Sequence, residues 1–382
     1  MQDEAREPML DKDGKSALAE EAPPPVHATK ALPSEESGGT TMLIFCFVGL
    51  QVAYVSWGII QERMMTQPYS RTTADGDTEE GKFPSVIFLV AANRFLALMV
   101  AAVLMSRDHS GKPLIGKDSI LDAGVENVSN DAMLIATRIQ RFLQLFLPSS
   151  LSNVFSSFFQ YKALVFVTFP TQVLFKANKI IPSMLMGKLL QGKSYPWRDY
   201  GEALVISGSV AAFMLSEKDP PEKEEDVGTA SLAAFGVACL CLYLAFDAFT
   251  SQWQSRVFNK HAVTQYQMMF GVNCCSLLTT TSNLIVSQTF FECLSFINAY
   301  PTSMYHIMLF SIASSVGQLF IFYTIKRYGA VMFSIIMTTR QVLSMVVSYI
   351  LFGHPISITG ALAAAVVFSV LGVRIRRRSQ KK

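Results

Sequence analysis

The chain has 382 residues, 51% hydrophobic and only 16% charged, with a positive mean hydropathy and a net charge of +3. A soluble chain of this length needs a larger charged surface, so composition points to a membrane, and so small a net charge gives no reason to invoke nucleic acid. The six cysteines (Cys46, Cys239, Cys241, Cys274, Cys275 and Cys293) lie mostly inside apolar runs without metal-ligand spacing and read as buried free thiols.

Residues 1–40 are polar and rich in Pro, Glu and Lys, which predicts a disordered tail and no cleavable signal peptide. Five apolar segments follow, near Met42–Met65, Pro84–Met105, Phe142–Tyr161, Phe166–Leu190 and Tyr200–Leu215. Five more lie near Ser231–Gln252, Met268–Gln288, Met304–Tyr323, Ala330–Phe352 and Ile356–Val373. A span needs roughly 20 apolar residues, so about ten transmembrane helices are expected. All are helices because lipid offers open backbone groups no partner. The polar connection 106–141 reads as a loop with an interfacial helix after Asp118. The acidic linker 217–228, containing EKDPPEKEED, divides the chain into a first five-helix repeat (41–216) and a second (229–374), followed by a basic tail (375–382). An odd number of spans per half inverts one half relative to the other, as in inverted-repeat transporters. Sliding the first half by about 161 positions lays Lys179 on Arg340, Leu190 on Leu351 and Gly192 on Gly353.

With ten spans both termini share a side, and the connections on that side carry most of the Lys and Arg. Among them are Arg107, Lys112, Arg138, Arg141, Lys193, Arg198, Arg256, Lys260, Lys326 and Arg327, joined by the basic C-terminal tail. The opposite connections hold Arg71, Lys82, Lys218 and Lys223. The bias predicts that both termini are cytosolic. On that orientation the sequon at Asn127 stays unglycosylated.

Charges inside the spans carry the functional argument. Lys176 and Lys179 lie mid-way along the fourth segment, at a spacing that shares one helical face. Arg340 lies within the ninth segment and Arg94 within the second. A charge at the bilayer centre costs a few kcal/mol even on lenient scales, so it faces a cavity or a partner. Asp247 is the one acid well inside a span, with Glu62 and Glu202 at span ends. Pairing of Arg94 with Glu62 or Asp247 is one reading. The alternative is that the excess of positive charge meets an anion from outside the protein, with several phosphate or sulfate charges. Gln172 is a further candidate for contact with such a substrate, and Tyr54 and Tyr323 for stacking on a base. Trp57, Phe169 and Phe175 are weaker candidates of the same kind. Pro170 and Pro182 flank the lysine pair and suggest a kinked helix. No Walker-type glycine loop, HExxH, G-x-S-x-G or paired intramembrane aspartate is present, so neither catalysis, a cofactor nor a metal is expected.

The run FVTFPTQVLFKANKIIPSMLMGKLL, residues 166–190, resembles the corresponding stretch of the Golgi adenosine 3′-phospho 5′-phosphosulfate (PAPS) transporters. These form a branch of the nucleotide-sugar transporter family within the drug/metabolite transporter superfamily. GLQVAYVSWGIIQERMM, AFDAFTSQWQ, QMMFGVN, QLFIFYTIKRYGAVMFSIIMTTRQ and GHPISITGALAAAVVF extend the resemblance from about Phe45 to Arg374. It implies an all-α membrane fold of inverted five-helix repeats and a secondary transporter, not an enzyme. Such a carrier moves PAPS into the Golgi lumen for sulfation, as an antiporter exchanging it for an adenosine nucleotide. Carried over by position, Lys176, Lys179 and Arg340 would meet the phosphate and sulfate groups. Another nucleotide, such as ATP/ADP or a nucleotide sugar, is the alternative cargo, and a non-transporting scaffold or receptor a remote one. The oligomeric state stays open, a homodimer being one option. In one place the chain departs from the family pattern: QYKALVF (160–166) stands where QYEALKF is usual, so an acid is replaced by Lys162 and a lysine by Val165.

Overall fold

The computed structural model describes residues 39–72, 78–108, 111–114, 119–122, 131–163, 166–167, 175–176, 178–216, 229–352, 362, 365–366, 368–370 and 372–373. Helices dominate, as apolar runs without water partners require. In chain order they are α1 (Gly39–Thr66), α2 (Val86–Arg107), α3 (Asp131–Ala163), α4 (Ile180–Gln191) and α5 (Trp197–Ser216). Then come α6 (Thr229–Lys260), α7 (Gln265–Val286), α8 (Thr289–Ala299), α9 (Thr302–Tyr328) and α10 (Ala330–Phe352). Five stretches, Thr41–Gln61, Val86–Arg107, Ala234–Lys260, Gln265–Val286 and Thr302–Tyr328, are long and apolar enough to cross a membrane by length and composition.

Local signals set the ends. Ser85 caps α2 by accepting from the Phe88 amide, and Thr264 with Gln267 forms a reciprocal capping box at α7. Gly192 closes α4 in the left-handed region (φ 62°), the stop expected there; its counterpart Gly353 lies outside the described residues.

Three features differ from the sequence expectation. The helical periodicity after Asp118 belongs from Asp131 onward to α3, which runs unbroken to Ala163 instead of forming a separate interfacial helix. The connection before it is clasped to α3 by the Asp122–Arg138 ion pair and by Arg141 donating to the Leu121 carbonyl. Second, a hairpin of β1 (Tyr69–Thr72) and β2 (Thr78–Gly81) follows α1. Its Tyr69 is buried and hydrogen-bonds His306 at 3.1 Å, which seats the hairpin against α9. Third, α8 is an extra short helix ahead of α9. Both the hairpin and α8 are shorter than any span, so a window of 20 residues passes over them.

Packing pairs the halves crosswise. The main partners are α1 with α9, α6 with α3, α2 with both α7 and α9, α3 with α7, and α4 with α6 and α10. Because lipid is as apolar as Leu, small and hydroxyl residues line such contacts. The α3–α6 seam shows this: Ser152 donates to the Phe246 carbonyl, Ser156 to that of Tyr243, and Trp253 to that of Leu145. Ser150 reaches the Ser276 hydroxyl on α7 at 2.6 Å. The six cysteines are free thiols, four of them buried, as their apolar surroundings predict.

Candidate functional site

The fourth apolar segment is not one helix. Phe175–Lys176 is helical, Asn178–Lys179 is a turn, and α4 begins at Ile180 with Lys179 as its N-cap. Lys176 and Lys179 therefore do not share one face of a continuous helix; a chain break sets them apart. Pro182 lies in the first turn of α4, where a missing N–H costs nothing, so it starts the helix and does not kink it. Pro170, Phe169 and Gln172 lie outside the described residues.

This break puts a charge at a helix N-terminus within the apolar segment. Lys179 is buried at 8% exposure, and its ammonium pairs with Asp247 Oδ2 of α6 at 2.5 Å. The same ammonium lies 5.0 Å from the centre of the Phe333 ring on α10. Seven residues on, two turns along the same helical stripe, Arg340 stands over the Tyr54 ring of α1 at 5.6 Å. Its Nε is buried and takes no hydrogen-bond acceptor among the described residues. Lys176 is an electrostatic neighbour of both Arg340 and Asp247, and Tyr54 of both Arg340 and Arg94. Four of the predicted cations and Tyr54 are thus gathered around one carboxylate, on α1, α2, α6, α10 and the break before α4.

Arg94 is held differently. Its guanidinium donates to Asn153 at 3.0 Å and to Asn273 at 3.4 Å, and Asn273 donates on to Gln318 at 2.7 Å. Its printed partners are neutral amides, so its charge is oriented but not cancelled. Asp247 goes to Lys179, not Arg94; the Glu62 side chain lies outside the described residues. One paired cation leaves a surplus of positive charge in a low-dielectric setting, which suits an anion with several charges.

The aromatic candidates separate. Tyr54 meets Trp57 edge-on at 6.1 Å, and Trp57 stacks on Phe310 at 5.2 Å, so a row of rings leads away from Arg340. Gly317 on α9 is what lets the row sit so close: a Cβ there would come within 2.9 Å of the Tyr54 ring. Tyr323 lies nearer the C-terminal end of α9, its ring against Tyr328 at 6.5 Å. Phe175 packs in the small cluster of Ala163, Cys239 and Leu240. Lys162 is exposed, with its ammonium 5.8 Å from the Phe166 ring. Gln51, one turn before Tyr54, is a residue that sequence reasoning passes over: it is buried, and neither amide atom finds a partner among the described residues. A lone glutamine in an apolar run is the signal that could have found it, since such groups are costly unless bonded.

A cleft of about 180 Å³ lies away from this cluster, lined by Lys193, Tyr195, Gln252, Tyr328 and Gly329–Met332. Gln252 is five residues beyond Asp247 on α6, about 7.5 Å along the axis. Beside the cleft α4 and α6 are bridged by amides: Gln252 donates to Ser183, Gln191 to Gln252, and Asn259 to Gln191. A cluster of buried charge joined to a cleft through a hydrogen-bonded bridge is arranged for admitting and holding an ion. Lys193, at the cleft, has its ammonium pushed below the ordinary lysine range by burial.

Comparison with known proteins places this architecture. The UAA transporter family model matches residues 42–377. A human protein named adenosine 3′-phospho 5′-phosphosulfate transporter 1 is 39% identical, covering 97% of this chain and 77% of its own length. An Arabidopsis thaliana protein named UDP-galactose/UDP-glucose transporter 5 is 28% identical, covering 88% of each. A solved crystal structure of a protein only 11% identical superposes with a TM-score of 0.55, covering 88% of this chain and 98% of that one, a likeness of fold alone.

Proposed function

The chain belongs to the UAA transporter family, a multi-span membrane family, and from that premise we propose that it carries PAPS from the cytosol into the Golgi lumen in exchange for an adenosine nucleotide. The observation that carries this reading is the gathering of Lys176, Lys179, Arg340 and Arg94 about a single carboxylate, inside helices that the lipid surrounds. A bisphosphorylated, sulfated nucleotide has about four negative charges at neutral pH and answers that surplus. In this reading Lys176, Lys179 and Arg340 receive the phosphate and sulfate oxygens, and Tyr54 offers its ring to the base. Arg94, locked by Asn153 and Asn273, contributes field more than contact.

The two halves are read as inverted repeats of five spans. The crosswise packing supports this, since α1 on α9 has its counterpart in α6 on α3, and α2 on α9 in α7 on α3. Lys179 and Arg340 then occupy equivalent places in the two halves. A broken helix whose N-terminus faces an anion is a recurring device of such carriers, because the free amides and the helix dipole favour negative charge. The amide bridge between α4 and α6 is the element that must part for substrate to pass through the cleft.

The test is thermal-shift binding on the purified protein with PAPS, adenosine 3′,5′-bisphosphate, ATP and UDP-galactose. PAPS and the bisphosphate should stabilise the protein most, UDP-galactose least. Stronger stabilisation by UDP-galactose would transfer the reading to a nucleotide-sugar carrier, as the Arabidopsis relative's name suggests.

A further inference from the structure

Asp247 is the one carboxylate that the structure brings into the cation cluster, and it sits where a substrate phosphate is needed. Its Oδ2 lies on the Lys179 ammonium and takes no other donor among the described residues. An acid built only to hold the fold is ordinarily fixed by several donors, because its lone pairs are otherwise desolvated without return. The carboxylate is also the more exposed partner, with 21% of its side chain accessible against 10% for Lys179. It can therefore turn away while the lysine stays. The pair joins the break before α4 to α6, one element from each half of the chain, and Lys176 neighbours the same carboxylate.

We propose that Asp247 is the carrier's internal counter-anion, holding Lys179 while the site is free and yielding it to a substrate phosphate. The inference rests on the reading of Lys179 as a substrate contact. A bare ammonium at this depth is costly, so something must neutralise it between substrates. Asp247 does so by competing with the substrate for one charge. Competition weakens binding, and for an exchanger that is useful: the carboxylate recaptures Lys179 as the nucleotide leaves, so release does not require exposing an unpaired charge. Asp247 is in this sense a positioning residue. It sets the strength of the lysine's grip without itself touching the anion.

The consequence is a split between affinity and turnover that a purely structural acid would not produce. Asp247→Asn keeps the shape and removes the charge. In purified protein it should bind adenosine 3′,5′-bisphosphate and PAPS about tenfold more tightly or better, the scale of removing a desolvated competing charge. In liposomes its exchange rate at saturating substrate should fall by a similar factor. Asp247→Glu should restore both toward the parent. A folded Asp247→Asn protein that binds with unchanged or weaker affinity would overturn the inference. If that variant does not fold, Asp247→Ser takes its place, and failure of both neutral variants to fold would assign the acid a structural role and overturn the inference too. Failure of the parent protein to bind any adenosine nucleotide would sink the transport reading and this inference together, whereas a parent that binds without tightening in Asp247→Asn sinks only the inference.

Discussion

Replacing Arg340 by Ala isolates one substrate contact with little disturbance to the fold. The guanidinium lies over Tyr54, and its Nε has no acceptor among the described residues, so the substitution breaks no ion pair that the structure records there. The cation–π contact it removes is worth about 0.5–2 kcal/mol, which offsets part of the cost of keeping the charge in lipid. Stability should therefore change by about 1 kcal/mol or less, the difference of those opposing terms. Binding is another matter. Losing a charge-assisted contact to a desolvated anion costs about 2–5 kcal/mol, or roughly 30-fold to several-thousand-fold in affinity. Arg340→Ala should thus reach the membrane, melt near the parent temperature and show no measurable PAPS uptake. Arg340→Lys keeps the charge but loses the two-pronged geometry, and should recover only a small part. The assay is uptake into liposomes at matched protein level, with melting curves on the same preparations. Near-normal uptake by Arg340→Ala would remove the residue from the site and refute the two-sided arrangement.

Lys179→Ala should differ from Arg340→Ala in stability, because it leaves Asp247 buried without its partner; about 3–5 kcal/mol is expected, and a melting curve that matches Arg340→Ala would contradict the pairing. Gly317→Ala introduces a Cβ against the Tyr54 ring and should weaken nucleotide binding while costing about 1–3 kcal/mol in stability; unchanged affinity would separate Tyr54 from the site. Tags on both termini should be cleaved by protease added outside intact Golgi vesicles, a tag within Glu217–Asp226 should be protected, and Asn127 should carry no glycan; protection of either terminus would overturn the ten-span topology. The Arg138 guanidinium beside Asp122 holds that carboxyl below the usual carboxylate range, so the clasp is fully present above that range and lost only as pH falls through the lowered value. Hydrogen exchange at Ser119–Asp122 should stay constant between pH 7 and 5, and faster opening at pH 5 would contradict the sign.

Much of the architecture can be read from the sequence because lipid imposes a simple rule on it. Spans such as Val86–Arg107 and Thr302–Tyr328 stand out by apolar length, and buried charges such as Lys179, Arg340 and Arg94 stand out because lipid makes them expensive. The break before α4 is harder to read. Lys179 falls in a run of good helix formers, and tertiary pairing with Asp247, remote in sequence, decides that the chain turns there. For the same reason Asp247 could not be allotted to Lys179 rather than Arg94 in advance: both cations are equally deep, and only packing shows that Arg94 already has Asn153 and Asn273. The hairpin at Tyr69–Gly81 depends on a contact between Tyr69 and His306, more than two hundred residues apart, which no local pattern announces.

The central claim is exchange of one anionic nucleotide for another, and counter-transport measures it directly. Purified protein is reconstituted into liposomes preloaded with adenosine 3′,5′-bisphosphate, and labelled PAPS or a labelled UDP-sugar is added outside. The account predicts rapid PAPS uptake that depends on the internal bisphosphate, with UDP-sugar uptake near the level of protein-free liposomes. Equal uptake of the UDP-sugar, or PAPS uptake indifferent to what is inside, would contradict it.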